Sequence, residues 1–371
     1  MLRKALLVAA VAVIIYKLMN VVIKAGVFTH YKKHYPGPCR QIKGLNYGSE
    51  DLEVTKDGLA FITSGVSYAA MSTGYKEFLQ RNGIKGRIFL YDFNEVHPEA
   101  RELQLVPSKD FNPDYFHPHG ISILEDSVKG EHIIYVINHA EIGDEAVEKF
   151  KFLPESYKLL HLKSFRGPLM HITNDLAIIG EDQFYISDYL YFKDHTLSLI
   201  EQAFLPFGLG SLLYFNGSDF SVVDSGLFSP NGMTLSKDKR YLYLSLPALS
   251  TVNVYELEKG NSLVLIQSAY LHSMADNLHL SESGDALYSG AHPILHQLVV
   301  HLDDPRQPAP SSVLRLPLKD GKIVPEDITE LFYDHGDLIS ASSCAAIYKN
   351  KLLIGSVINK LVVCDVNADI V

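Results

Sequence analysis

The chain has 371 residues, a length carried by several domains, a repeat or a barrel rather than by one small module. Its 33 basic and 43 acidic side chains leave a net charge of −10, which excludes a general nucleic-acid binder with a basic stripe. Apolar residues make up 47% and charged residues 20%, enough apolar material for a large core and too much for a disordered chain.

The first element is hydrophobic. After Arg3 and Lys4 an apolar run extends from Ala5 to Ile23, broken only by Lys17 and Asn20. A helix of roughly 19 residues is just long enough to cross a bilayer. Small residues suited to signal cleavage, Ala10-Val11-Ala12, lie inside the run rather than after it. The run therefore reads as an uncleaved N-terminal hydrophobic helix, a signal-anchor that with its juxtamembrane segment fills residues 1–36. Lys17, Lys24, Lys32 and Lys33 outnumber Arg3 and Lys4, which by the positive-inside rule argues against a lumenal body. The sequon Asn216-Gly217-Ser218 and a disulfide between Cys39 and Cys364 would argue for one. The expectation is a lumenal or extracellular body: anchored in the endoplasmic reticulum membrane or at the cell surface, or secreted with its N-terminus retained.

Residues 37–371 read as all-β. The chain has 21 Tyr and 18 Phe with no Trp, a composition suited to pleated sheets, and no long stretch of helical periodicity. One unit recurs six times: a small polar pair, a short alternating strand, a tight turn, and a second apolar strand. It begins as Glu50-Asp51 before LEVT, then as His119-Gly120 before ISIL and Asn174-Asp175 before LAII. It returns as Asn231-Gly232 before MTLS, Asp276-Asn277 before LHLS, and Ser343-Cys344 before AAIY. Intervals of about 45 to 75 residues match radial repetition of four-stranded sheets, so the expected fold is a six-bladed β-propeller. Cys39 and Cys364 stand at its two ends, where a disulfide would tie the first strand to the last and leave Cys344 free.

In a propeller, residues at one phase of every repeat converge on the axis. Singly, Glu-Asp, Asn-Gly and Asp-Asn pairs are ordinary turn formers. Their common phase points to a shared site at Glu50, Asp51, His119, Asn174, Asp175, Asn231, Asp276 and Asn277. Carboxylates crowded on one axis need a cation, and an irregular all-oxygen ligand set suits calcium rather than zinc or magnesium. His119 lies at the level of that cation, and His139 ends the next strand of the same repeat. A neutral imidazole there can take a proton from water while a second one holds its tautomer or relays the proton. His117, His272, His279 and His292 read as channel or surface residues.

Several segments together resemble the paraoxonase/arylesterase family: GSEDLEV at Gly48–Val54, HPHGIS at His117–Ser122, Asn138-His139, Asn174-Asp175, Pro230–Gly232, Asp276-Asn277, Leu352–Gly355 and Cys364. The resemblance implies a propeller holding two calcium ions. By position, Glu50, Asn174, Asn231, Asp276 and Asn277 would hold the catalytic one. Asp51, Asp175 and the backbone carbonyl of Ile121 would hold a deeper, structural one, and His119 and His139 would form the family's histidine dyad. It further implies hydrolysis of lactones and aryl esters, with a hydrophobic N-terminus retained for membrane attachment. The chain departs from the family pattern at Ala291 before His292-Pro293, at His117 before Pro118-His119-Gly120, and at Asp188-Tyr189-Leu190. Those changes bear on substrate choice rather than on the calcium ligands. An alternative within the resemblance is a membrane-anchored assembly factor for degenerin-type sodium channels.

Overall fold

The computed structural model describes Met19, Gly26 and residues 31–126, 130–140 and 144–367. The expected N-terminal membrane helix lies outside the described residues apart from Met19. Among the described residues no helix is long and apolar enough to cross a membrane.

The six repeats form six sheets, each of four or five strands. Their first strands are Leu52–Val54, Pro118–Asp126, Ile172–Gly180, Met233–Leu235, Met274–Leu280 and Ser342–Tyr348. These touch one another in sequence, and the sixth touches the first, so they form the inner wall of a closed ring. Each pairs antiparallel with the second strand of its repeat. The hairpins turn on Gly58, Gly130, Asp182, Lys239, Gly284 and Lys349, all at positive φ.

Apolar packing lies between blades. Six clusters each join two neighbours, for example Phe61 and Leu90 of the first blade with Ile134 and Phe150 of the second. The last such cluster sets Leu52 and Ile62 of the first blade against Leu353 and Val363 of the sixth. Alternation explains this arrangement: successive side chains point to opposite faces of a blade, and both faces meet a neighbouring blade.

The chain itself also closes the ring. Strand Cys39–Gln41 pairs with Val362–Asp365 as the outer strand of the sixth blade. Cys39 and Cys364 are register partners in that pair and form the disulfide. Cys344 is free and buried.

Among the described residues three short α-helices interrupt the all-β pattern: α1 (Thr73–Arg81), α2 (His195–Phe204) and α3 (Leu295–Asp303). Each follows the second strand of alternate blades, the first, third and fifth, at the end of the ring where the inner strands begin. Ser72 Oγ caps α1 by accepting Tyr75 N–H at 3.1 Å, and Asp194 Oδ1 caps α2 by accepting Leu197 N–H at 3.0 Å. The three connections fasten together over this mouth. Ser72 Oγ donates to Leu302 O at 3.3 Å, and His195 Nδ1 lies 2.8 Å from Ala70 O. Helices of 9 or 10 residues carry too few turns to show a period inside a strand-rich sequence.

Candidate active site

Adjacent residues of a strand point to opposite faces, so a pair such as Asn174-Asp175 reaches the axis together only where the ladder is broken. The inner strands are broken at these positions. Register shifts fall between Pro118 and Ile121, Thr173 and Leu176, Ala275 and Leu278, and Ser342 and Cys344. In the first and fourth blades the polar pairs precede the strand and are held by the second strand instead. Glu50 N–H donates to Thr63 O (3.1 Å) and Thr63 N–H to Asp51 O (2.9 Å); Asn231 N–H donates to Ser245 O (3.0 Å) and Ser245 N–H to Gly232 O (2.9 Å).

The glycines in these pairs are packing sites rather than turn formers. A Cβ on Gly120 would stand 2.4 Å from Asp175 Oδ1 and 2.5 Å from Asp175 Cα. One on Gly232 would stand 2.4 Å from Asn277 Cα. Each glycine admits the polar pair of the next blade.

Glu50, Asp51, Asn174, Asp175, Asn231, Asp276 and Asn277 are all buried. Five of their oxygens have no hydrogen-bond partner among the described residues: Glu50 Oε2, Asn174 Oδ1, Asn231 Oδ1, Asp276 Oδ1 and Asn277 Oδ1. They come from four blades and coincide with the expected ligands of one calcium. A buried acceptor without a donor costs about 1–3 kcal/mol, more for a carboxylate, and this set of oxygens fits a hard cation. Among the described residues no group of three or more His, Cys, Asp or Glu has the arrangement of a metal cluster, and three of these five oxygens belong to amides.

Asp51 and Asp175 are satisfied differently. Asp51 Oδ1 accepts Leu52 N–H (2.8 Å) and Oδ2 accepts Ile121 N–H (3.0 Å). Asp175 Oδ1 accepts Leu176 N–H (2.7 Å) and Oδ2 accepts Met233 N–H (2.6 Å). Ile121 thus meets Asp51 through its N–H. Burial, then the Asp175 and Glu50 charges, push Asp51 well above the usual carboxylate range. Burial likewise pushes Asp175 up, against the Met233 and Leu176 N–H groups and with the Glu50 and Glu53 charges. Asp276 is raised by burial although His292 Nε2 bonds its Oδ2 at 2.8 Å. Burial is the largest cause in all three, and the Glu50 charge adds to it in each.

The two histidines are buried and bonded: His119 Nδ1 lies 2.9 Å from His139 Nε2. His119 Nε2 faces the polar cluster, 3.3 Å from Asn174 Nδ2 and 3.5 Å from Glu50 Oε1. Burial works against a charged His119, but the Glu50, Asp276 and Asp175 carboxylates outweigh it and raise its pKa. Tyr68 stacks on His119 at 5.7 Å and 12° and leans on His139 at 5.2 Å. His117 flanks the dyad through backbone: its N–H donates to Asn138 Oδ1 at 2.9 Å and its O accepts His139 N–H at 3.2 Å.

Sequence reasoning missed Glu145, Tyr68 and the pairing of Asp188 with His171 (Oδ2 to Nδ1, 2.7 Å). Glu145 Oε2 lies 2.9 Å from His139 Nδ1. Burial opposes its charge, yet His139 and Thr173 hold the carboxyl below its usual range. The available signal for Glu145 was its place shortly beyond His139 across a hairpin. His279 is buried near Glu53 at 3.7 Å and His272 is exposed, so both stay outside this cluster. Asn216 sits in the exposed turn between Gly210–Phe215 and Phe220–Leu227, at the opposite end of the ring.

Solved structures share this architecture at low identity: a luciferin-regenerating enzyme at TM-score 0.53 and 10% identity, covering 89% of this chain and 95% of that one. A putative gluconolactonase gives 0.51 and 11%, covering 89% and 92%. Sequence relatives are nearer. Rattus norvegicus serum paraoxonase/lactonase 3 is 31% identical over 359 residues, 96% of this chain and 97% of its own. Homo sapiens serum paraoxonase/arylesterase 1 is 34% identical over 330 residues, 88% of each. The arylesterase family model matches residues 32–366, the whole of the ring with its closing strand pair. By that match and by relatives at this level over nearly its full length, the chain belongs to the arylesterase family.

Proposed function

We propose that this protein is a calcium-dependent hydrolase of lactones and aryl esters. Hydrolase chemistry of this class follows from the arylesterase family and from relatives named as lactonases and arylesterases. The observation that carries calcium dependence is the set of five buried, unpartnered oxygens beside an imidazole.

Glu50, Asn174, Asn231, Asp276 and Asn277 would hold one calcium, and Asp51, Asp175 and the Ile121 carbonyl a second. Bound at the first position, calcium supplies a Lewis acid that polarises a substrate carbonyl. His119 Nε2, facing that position, takes the proton from the attacking water, whose oxygen bonds the carbonyl carbon as its C=O π bond opens. The carbonyl then re-forms, the ester C–O bond breaks, and the leaving oxygen takes the proton from His119. His139 orients His119 through their shared hydrogen bond. Tyr68 covers both rings and keeps bulk water from them. The N-terminal apolar run anchors the protein and the ring is lumenal, a reading supported by the Cys39–Cys364 disulfide and the exposed Asn216 turn.

The test is hydrolysis of a lactone panel and phenyl acetate by purified protein, with calcium and after chelation. Activity lost with the chelator and restored by calcium is expected. Activity indifferent to metal removal overturns calcium dependence, and no hydrolysis by the parent protein returns attention to channel assembly. Alkaline carbonate extraction should leave the protein in the membrane, and endoglycosidase should shift its mobility through Asn216.

A further inference from the structure

We infer that Glu145 is a positioning residue that sets the tautomers of both histidines, so that His119 presents an unprotonated Nε2 to the oxygen cluster. The inference rests on His119 acting as the base.

His139 and Glu145 are direct register partners on adjacent antiparallel strands. The hairpin between them is closed by Ala140 N–H donating to Asp144 O at 3.0 Å. Both Glu145 oxygens reach His139 Nδ1, at 3.0 and 2.9 Å, and Oε2 also accepts the Thr173 N–H (3.0 Å) and hydroxyl (2.8 Å). An ionised carboxylate accepts hydrogen bonds and donates none, so the proton of neutral His139 sits on Nδ1. Its Nε2 is then an acceptor. Among the described residues the donor that meets it, at 2.9 Å, is His119 Nδ1–H. Neutral His119 is left with its lone pair on Nε2, where Asn174 Nδ2–H donates to it at 3.3 Å and Glu50 Oε1 lies 3.5 Å away. When that nitrogen takes a proton from water, the new imidazolium is joined by two hydrogen bonds to a carboxylate that offsets its charge.

Glu145→Gln reverses this logic while keeping shape. The Thr173 backbone N–H is a fixed donor and retains the amide oxygen, which turns the amide NH2 toward His139 Nδ1. That nitrogen must then accept, its proton moves to Nε2, and His119 in turn carries its proton on Nε2.

The test uses full-length protein with ¹⁵N-labelled histidine, recording two-bond ¹H–¹⁵N spectra and lactone kinetics for parent, Glu145→Gln, Glu145→Asp and His119→Gln. The parent should show both rings as Nδ1–H tautomers, and Glu145→Gln both as Nε2–H. For Glu145→Gln, kcat should fall about a hundredfold or more with the thermal melt nearly unchanged. KM should stay within about threefold, and Glu145→Asp should recover part of kcat. Unchanged tautomers in Glu145→Gln overturn the inference, as does a parent-like kcat when His119→Gln is inactive. Parent-like hydrolysis by His119→Gln removes the dyad from the mechanism instead, and the spectra still decide what Glu145 does.

Discussion

Gly120 of the second blade lies directly against Asp175 of the third, so close that even a methyl group would overlap its Cα at 2.5 Å and its Oδ1 at 2.4 Å. The obstruction includes backbone, which cannot swing aside. Gly120→Ala should therefore push two blades apart at the hub and destabilise the protein by about 1–3 kcal/mol. Gly180→Ala, whose nearest neighbour would be 3.7 Å away, should stay within about 0.5 kcal/mol of the parent. Thermal melts of the two variants decide this, and equal melting would refute the close-approach role.

The five unpartnered oxygens predict a stability that depends on calcium. Saturating calcium at about a hundred times its Kd should add about 2.7 kcal/mol to the metal-free protein. Asp276→Asn keeps the shape but removes a charge, and should weaken the rise of Tm with added calcium. A calcium titration followed by melting is the measurement; a Tm that ignores calcium in verified metal-free protein rules out the cage.

Closure of the ring gives a third expectation. Cys39 and Cys364 join strands 325 residues apart, so the bond limits a very long loop of the unfolded chain. Cys39→Ser with Cys364→Ser should cost about 2–5 kcal/mol by denaturant unfolding. Mass mapping without reductant should recover the Cys39–Cys364 peptide pair and an unmodified Cys344.

A pH effect follows from Glu148, which is buried away from the oxygen cluster. It accepts from Asn138 Nδ2 (3.0 Å) and from Arg166 (3.4 Å), lies 2.9 Å from His161 Nε2, and is bonded by Ser164 Oγ. Burial raises its pKa, but the His161, Ser164 and Asn138 bonds and the Arg166 charge outweigh burial and depress it below 4.5. A depressed carboxyl contributes stability that is present above its unfolded value and lost as pH falls through the folded one. Glu148→Gln should thus melt below the parent at neutral pH, and the gap should narrow as pH drops below about 4.5. A constant gap across that window would exclude the linkage.

The sequence by itself determined the ring. Alternation on both faces of short strands, repeated six times at one phase, leaves few ways to bury the apolar side chains other than between radially arranged blades. It also determined which residues meet at the hub, because phase in a repeat maps onto position around an axis. The tertiary structure decided how they meet. Whether Asn174 and Asp175 both turn inward depends on a break in the ladder, and a bulge is a property of two paired strands rather than of either one. Gly120 and Gly232 look like turn residues until the neighbouring blade is in place. Glu145 offers only its place shortly beyond His139 as a signal, since its contacts with His139 and Thr173 need a paired strand and the next blade. The helices over the mouth stayed hidden for a related reason: each is too short to declare a period, and their fastening to one another exists only once the ring has closed.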